Sequence, residues 1–399
     1  MVFLGQVVSA FGSSILRFAI PLYLLEVSDS PALFGTVMAL SALPLVIFSP
    51  IGGVVADRVN KKWIMVIVDF TIAGLVVLYM LTMGVFAIVP TTIAIMMALF
   101  ASTAMMDPAV EGSIPLIIHA DHLVRANSVI SLVGSLSGMV GPALGGILFA
   151  GFGIYPIIII CAVAKFLAAI MELFVRIPNV KQEAADNAFS AFFGDISTGL
   201  KFIFNEKPLL AKILITIFLI QLALAPFAII GIPVLITRNL GMNESMVGIA
   251  QAAMGVGGIW GGILTGVLGK RLRIQRAHWL LFIAGLVFLP IGIAFLLDAS
   301  YFVTYIIIVF ATLIAMTVLT LFTIQILTFV QIETPPEMLG KVSALSTMII
   351  MMGLPIGQFI FGMLFEQFDS LPWVVVFISV VMSVLVALNS RQYFRRVSK

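Results

Sequence analysis

Residues 123–150 read LVRANSVISLVGSLSGMVGPALGGILFA, and the reading of this stretch decides the fold. Gly134, Gly138, Gly141, Pro142, Gly145 and Gly146 recur at helical spacing inside an otherwise apolar run. Small residues three and four apart form a stripe on one helix face and let a second backbone come into contact. In lipid such close packing replaces the hydrophobic effect as the adhesive. Pro142 removes one backbone donor and bends the helix, which a membrane tolerates where a neighbouring helix covers the bend. The stretch therefore reads as a transmembrane helix built to pack against another.

Composition extends this reading to the whole chain. Of 399 residues, 62% are hydrophobic and 10% charged, against about 25% charged in soluble domains. No aqueous fold hides that much apolar surface. Windows of about 20 residues, long enough to cross a bilayer, give twelve expected spans near 2–27, 32–55, 63–87, 90–117, 123–150, 154–176, 209–237, 245–269, 277–297, 301–330, 341–366 and 371–390. The expected class is an all-α integral membrane protein.

Lys and Arg collect in the connections after even-numbered spans: Arg58, Lys61 and Lys62, then Arg125, then Lys270, Arg271, Arg273 and Arg276, then Lys341 and the tail from Arg391 to Lys399. The opposite connections hold only Arg238. The positive-inside rule then places both termini in the cytoplasm of a cell membrane, plasma or bacterial inner. The net charge of +3 follows from this distribution and implies no nucleic-acid partner. Met1 starts inside the first span, and Arg17 within that span argues against a cleaved signal peptide. Cys161 is the only cysteine, so no intramolecular disulfide is expected.

One long polar connection, from about Pro178 to Pro208, divides the spans six and six. In it Phe189, Phe192, Phe193, Ile196, Leu200 and Ile203 recur at threes and fours, the pattern of an amphipathic helix lying on the membrane face. The expected organisation is a bundle over 1–177, a cytoplasmic linker over 178–208 and a second bundle over 209–399. The halves echo each other. Leu123 precedes Gly141 by the same eighteen residues that separate Leu339 from Gly357, and Gly146 and Gly362 follow at equal offsets. A second echo pairs Gly53 to Arg58 with Gly266 to Arg271. Parallel repeats of six spans are the architecture of major facilitator transporters.

Particular motifs carry the same resemblance. Gly52 to Lys62 reads GGVVADRVNKK and resembles the signature loop between the second and third helices of the major facilitator superfamily. The resemblance implies a cytoplasmic gate: Gly53 for close helix contact, Asp57 facing the positive amino-terminal end of the eleventh helix near Leu339 to Ser343, and Arg58, Lys61 and Lys62 on anionic lipid. In the second half Lys270 stands where the aspartate would, which implies an acidic latch in one half only. Asp69 belongs either to this charge network or to a local ion pair. The pattern from Gly138 to Gly146, Gly-x-x-Gly-Pro-x-x-Gly-Gly, resembles the antiporter motif of the fifth helix in drug:proton antiporters of the superfamily. Gly5 to Ser14, Ala19 to Leu22, Asp57-Arg58 and Gln331 to Val342 are similar to bacterial exporters of the macrolide-efflux and enterobactin-exporter type.

An ionisable group at mid-membrane costs about 2.5–3.5 kcal/mol on insertion scales and usually pairs or faces a water-filled path. Arg17, Asp107, Glu111 and Lys165 are such groups. Asp107 and Glu111 are four apart and share a helix face. At about 1.5 Å per residue Arg17 and Asp107 fall at comparable depth, and Pro108 bends the helix beside them. They are proton-coupling candidates, either as a pair that opens on protonation or as a permanent ion pair. Lys165 is expected to find a structural partner or to snorkel. Gln221, Gln251, Gln325 and Gln358, with Met348, Met351 and Met352, form either an adaptable cargo surface or a lipid-facing one.

No Gly-x-x-x-x-Gly-Lys-Ser/Thr loop is present, which disfavours an ATP-driven pump. His-Glu-x-x-His and Gly-x-Ser-x-Gly are absent and no histidine is expected inside a span, so an intramembrane hydrolase is disfavoured as well. His119 and His122 have too few companions for a metal site. The expectation is a monomeric secondary transporter, not an enzyme, without a cofactor, exporting a small amphipathic cargo in exchange for protons. The alternative is a lipid or lysolipid translocator on the same fold.

Overall fold

The computed structural model describes residues 2–117, 119, 123–175, 177–178, 196–268, 274–335 and 338–395. Twelve helices in it are long and apolar enough to cross a membrane. They are α1 (Val2–Ser28), α2 (Pro31–Arg58), α3 (Lys61–Thr82), α4 (Ile88–Ile117), α5 (Leu123–Phe152), α6 (Ile154–Leu173), α7 (Pro208–Asn239), α8 (Glu244–Leu268), α9 (Ile274–Leu296), α10 (Tyr301–Glu333), α11 (Leu339–Gln367) and α12 (Pro372–Phe394). Among the described residues there is no strand, only an isolated bridge between Met83 and Phe86. The all-helical, twelve-span architecture expected from composition is the one observed.

Local chemistry sets the helix ends. Ser30 accepts a hydrogen bond from the Leu33 amide at 3.2 Å and Pro31 opens α2, a residue whose missing N–H costs nothing at that position. Asn60 caps α3 through the Lys62 amide at 3.0 Å. Asp29 and Asp298 take left-handed backbone angles, both with φ of 47°. A short polar side chain makes that conformation affordable between helices.

Two spans are not regular. In α7 the α-helix ends at Ala223, followed by wide turns over Phe227–Gly231 and Leu235–Asn239. Pro226 and Pro233 supply the cause, since each lacks a donor and crowds the carbonyl four residues back. In α9, Ala277–Leu286 and Leu289–Leu296 are separate helices meeting at Val287-Phe288, with Pro290 at the start of the second.

Contacts divide the chain into two compact units, Met1–Asp186 with Asn243–Ala252, and Asn187–Met242 with Ala253–Lys399. In the first, α2 and α4 come into backbone contact at Gly52, where a Cβ would overlap the Ala104 carbonyl oxygen. The surroundings of the next residue, Gly53, lie outside the described residues. On α5, Gly141 lies against Ser14 of α1 so closely that any side chain would displace it. In the second unit Gly357 of α11 meets the Leu222 carbonyl and the Pro226 ring of α7 in the same way. The pair of glycines that echo in sequence therefore makes equivalent helix contacts, each within its own unit. An aromatic cluster fills the second unit, with Phe227 at 4.9 Å from Phe288, 6.0 Å from Phe361 and 6.3 Å from Phe365 between ring centroids.

Of the connecting segment, residues 178 and 196–208 are described; 196–206 are helical and end in a wide turn over Phe202–Glu206. Burial centres on Gly199, Phe202 and Ile203, with Gly199 against Leu345, while Leu200 is exposed. Phe189, Phe192 and Phe193 lie outside the described residues. Outward-facing apolar side chains are plentiful, Phe174 and Leu297 being 72% exposed. Such a surface suits a hydrocarbon solvent and not water.

Candidate functional site

Polar residues on α1 stand at positions 6, 9, 13 and 17, spacings of three, four and four that place Gln6, Ser9, Ser13 and Arg17 on one helix face. That face turns into the first unit and lines a cavity of about 330 Å³. Asp69 of α3 and Lys165 of α6 form part of the wall. Ser102, Thr103 and Asp107 of α4 form another part. The α5 stripe closes it with Gly134, Ser137 and Gly138. A Cβ added at Gly134 or Gly138 would meet nothing within 4 Å. The glycine stripe therefore has two functions along its length, open wall at Gly134 and Gly138 and helix contact further on. Gly145 packs on Phe18 and Ile15 of α1, and Gly146 meets the Glu244 carbonyl and Gly248 within the same unit. Pro142 lies inside the helix within the contact zone, next to Gly141.

Two cation–carboxylate combinations line this one cavity, and they differ. Lys165 Nζ stands 2.9 Å from Asp69 Oδ1, with both side chains almost wholly buried. Lys165 also donates to Ser9 Oγ at 2.7 Å, and Ser9 donates to the same Asp69 oxygen at 3.0 Å. This triad ties α1, α3 and α6 together. Beside it Gln6 donates to Glu172 Oε1 at 2.8 Å, and Glu172 is fully buried. Lys165 has the structural partner expected for it, and Asp69 is that partner.

Arg17 and Asp107 are not so joined. No hydrogen bond or ion pair connects them among the described residues, although both line the cavity. The Arg17 guanidinium lies 5.3 Å from the Phe100 ring centroid, a cation–π distance. Its Nε is buried without a hydrogen-bond partner. Glu111, one turn beyond Asp107, is exposed and does not line the cavity.

The loop motif is described in part. Asp57 and Arg58 are the last residues of α2, and their side chains lie outside the described residues. Lys61 runs along α4 at Gly112, where an added Cβ would come 2.7 Å from its Cε. Lys62 Nζ donates to the Leu173 carbonyl, the last of α6, at 2.5 Å. A cation there complements the negative end of the helix dipole. Lys270, Arg271, Arg273, His122 and Lys399 also lie outside the described residues.

None of the second-half candidates lines this cavity. Gln358 is 2% exposed with Oε1 unpartnered, and neither polar atom of the half-buried Gln325 has a partner. Gln221 of α7 packs at Gly353 of α11, Gln251 of α8 is half-buried, and Met348, Met351 and Met352 are exposed on α11. One expectation is corrected: His278 is a span histidine, buried in the first turn of the Ala277–Leu286 helix. The span expected near 277–297 already contains it, so the expectation of no histidine in a span overlooked a residue that the sequence shows.

Gln6, Ser9, Ser102, Thr103, Ser137 and Glu172 were not singled out in the sequence. The signal for the first two is the polar stripe on α1; Glu172 carries none, because it stands at the end of an apolar helix where a carboxylate ordinarily meets water.

Residues 2–358 match the model of the Major Facilitator Superfamily. The chain belongs to that superfamily. It is 26% identical over 375 residues to macrolide efflux protein A of Streptococcus pyogenes, covering 92% of this chain and 89% of that protein. To the enterobactin exporter EntS of Salmonella typhi it is 24% identical over 376 residues, covering 90% and 84% respectively. A crystal structure of the nucleoside transporter NupG shares the fold with a TM-score of 0.75 at 16% identity, over 99% of each chain. This major facilitator protein is a multi-pass membrane transporter of small molecules and not an enzyme.

Proposed function

We propose that the protein is a proton-coupled exporter of amphipathic small molecules, working by alternating access between a bundle over 1–177 and a bundle over 209–399. The observation that carries the reading is the open Arg17–Asp107 combination in the first-unit cavity. A carboxylate that faces a cavity without a bonded cation is free to exchange a proton with water there, and a nearby arginine tunes its affinity for that proton. The antiporter-like stripe supports export, because it builds this cavity wall with Gly134 and Gly138 and holds α5 on α1 with Gly141 and Gly145. Two relatives of similar length bear the names of efflux or export proteins, which supports the same direction.

Residue roles follow. Asp107 exchanges the proton, Arg17 sets its environment and Glu111 acts as a secondary carboxylate nearer the end of α4. Asp57, with Arg58, Lys61 and Lys62, acts at a cytoplasmic gate, both termini being on that side. Gln221, Gln251, Gln325, Gln358, Met348 and Met352 serve the cargo surface of the other half.

Accumulation of a fluorescent macrolide in energised cells tests the reading. Cells making the protein should accumulate less of it, and a protonophore should erase the difference. Cells making Asp107→Asn or Asp57→Asn at wild-type membrane levels should accumulate nearly as much as cells without the protein. Protonophore-insensitive efflux would reject proton coupling, and wild-type efflux by either variant would remove that aspartate from the mechanism.

A further inference from the structure

The cavity contains its own control. Lys165 and Asp69 show what a cation and a carboxylate do in this wall when they can reach each other: they close to 2.9 Å and take up Ser9 as well. Arg17 and Asp107 line the same cavity and do not close. Holding a guanidinium N–H buried and unbonded is costly. The fold keeps the two apart around an empty volume at the lower end of ligand-pocket sizes, which are about 300–1,000 Å³. A polar head group fits in it.

The hydroxyls refine the chemistry. Ser102 and Thr103 donate their hydrogens to the Leu99 carbonyl at 2.7 and 3.2 Å, and Ser137 donates to the Gly134 carbonyl at 3.0 Å. With their hydrogens engaged within their own helices, these hydroxyls present oxygen lone pairs to the cavity, and Thr103 stands four residues before Asp107 on the same face. The Asp107 side of the cavity therefore receives a donor. The Arg17 guanidinium offers only donors and receives an anionic oxygen.

We propose that this cavity recognises a zwitterionic head group, with a carboxylate, phosphate or phenolate oxygen on Arg17 and a protonated amine on Asp107. The inference rests on the reading above, in which the cavity belongs to the transport cycle. Coupling chooses between the charge classes. An ammonium group and a proton compete for the Asp107 carboxylate, so each displaces the other, as exchange requires. A purely anionic ligand on Arg17 would instead bind together with the proton and favour co-transport. A purely cationic one would meet the uncompensated repulsion of Arg17. The zwitterion satisfies both groups and preserves exchange.

Fluorescence anisotropy on the purified full-length protein in detergent tests this, using three probes with one fluorophore: Nε-dansyl-lysine (zwitterion), dansyl-cadaverine (cation) and dansyl-glycine (anion). The zwitterion should bind at least about tenfold more tightly than either other probe, the scale of one charged hydrogen bond. Arg17→Gln and Asp107→Asn should each lose that advantage, with Arg17→Gln gaining relative preference for the cation and Asp107→Asn for the anion. Gly138→Leu, which fills the open wall without altering charge, should weaken all three probes alike. Displacement of dansyl-lysine by lysophosphatidylethanolamine alone would mark a lipid head group as the zwitterion, and displacement by free lysine a soluble one. A wild-type protein that eluted as a single species yet bound the three probes equally, or bound none, would overturn the proposal, as would unchanged preferences in both charge variants. Should Arg17→Gln fail to fold, Arg17→Lys keeps the charge and should retain the zwitterion preference. Binding is read without a gradient, so intact charge preference alongside failed proton coupling rejects only the coupling. Lost preference alongside intact Asp107-dependent transport rejects only this inference.

Discussion

Asp69 and Asp107 share one cavity wall and face opposite circumstances. Asp69 is held by Lys165 and Ser9 in a triad that joins α1, α3 and α6 through two buried charges. Removing one partner leaves the other charge uncompensated, which in buried pairs costs about 3–5 kcal/mol, whereas replacing both is close to neutral. Lys165→Met should therefore lower the melting temperature of the purified protein sharply, and Asp69→Asn, Lys165→Met together should recover most of the loss. A single variant as stable as the wild type would show that the pair is not a tie. The sequence marked Arg17, Asp107, Glu111 and Lys165 as intramembrane charges but not how they pair, because pairing depends on which helices are neighbours. Asp69 read as one of two alternatives from its place near the signature loop; its partner stands 96 residues away on α6.

At the scale of elements, the α5 stripe was legible as a helix interface, while its division into contact and cavity wall was not. Spacing places Gly134, Gly138, Gly141 and Gly145 on related faces, yet only the three-dimensional neighbours distinguish a glycine that admits a backbone from one that leaves a void. Gly141→Leu should wedge α5 off α1 and cost about 1–3 kcal/mol or prevent folding, the range of overpacking. Gly134→Leu should leave the melting temperature close to wild type, since nothing within 4 Å opposes it. Equal destabilisation by the two, measured in the same detergent, would contradict the division. The irregularity of α7 was not read from the sequence, where span length gave a continuous hydrophobic stretch; Pro226 and Pro233 carry the signal for it.

For the molecule as a whole, the twelve spans and the superfamily were readable because bilayer thickness imposes a length on every helix and excludes charge from its middle. The proposed orientation has both termini cytoplasmic, and Asp29 and Ser300 stand in turns outside the helices. Single cysteines at those positions, in a Cys161→Ala background, should react in intact cells with an impermeant maleimide. Protection of both until the membrane is permeabilised would reverse or reject the topology. The central claim is that cargo movement through this protein drives protons the opposite way through Asp107. Its most direct measurement is the internal pH of proteoliposomes carrying a trapped pH dye, with cargo added outside and no other gradient. Wild-type protein should raise the internal pH as cargo enters and protons leave, and the Asp107→Asn, Glu111→Gln double variant should leave it flat. A flat wild-type trace during demonstrated cargo entry, or a double variant that alkalinises the interior as fast as the wild type, would contradict the account.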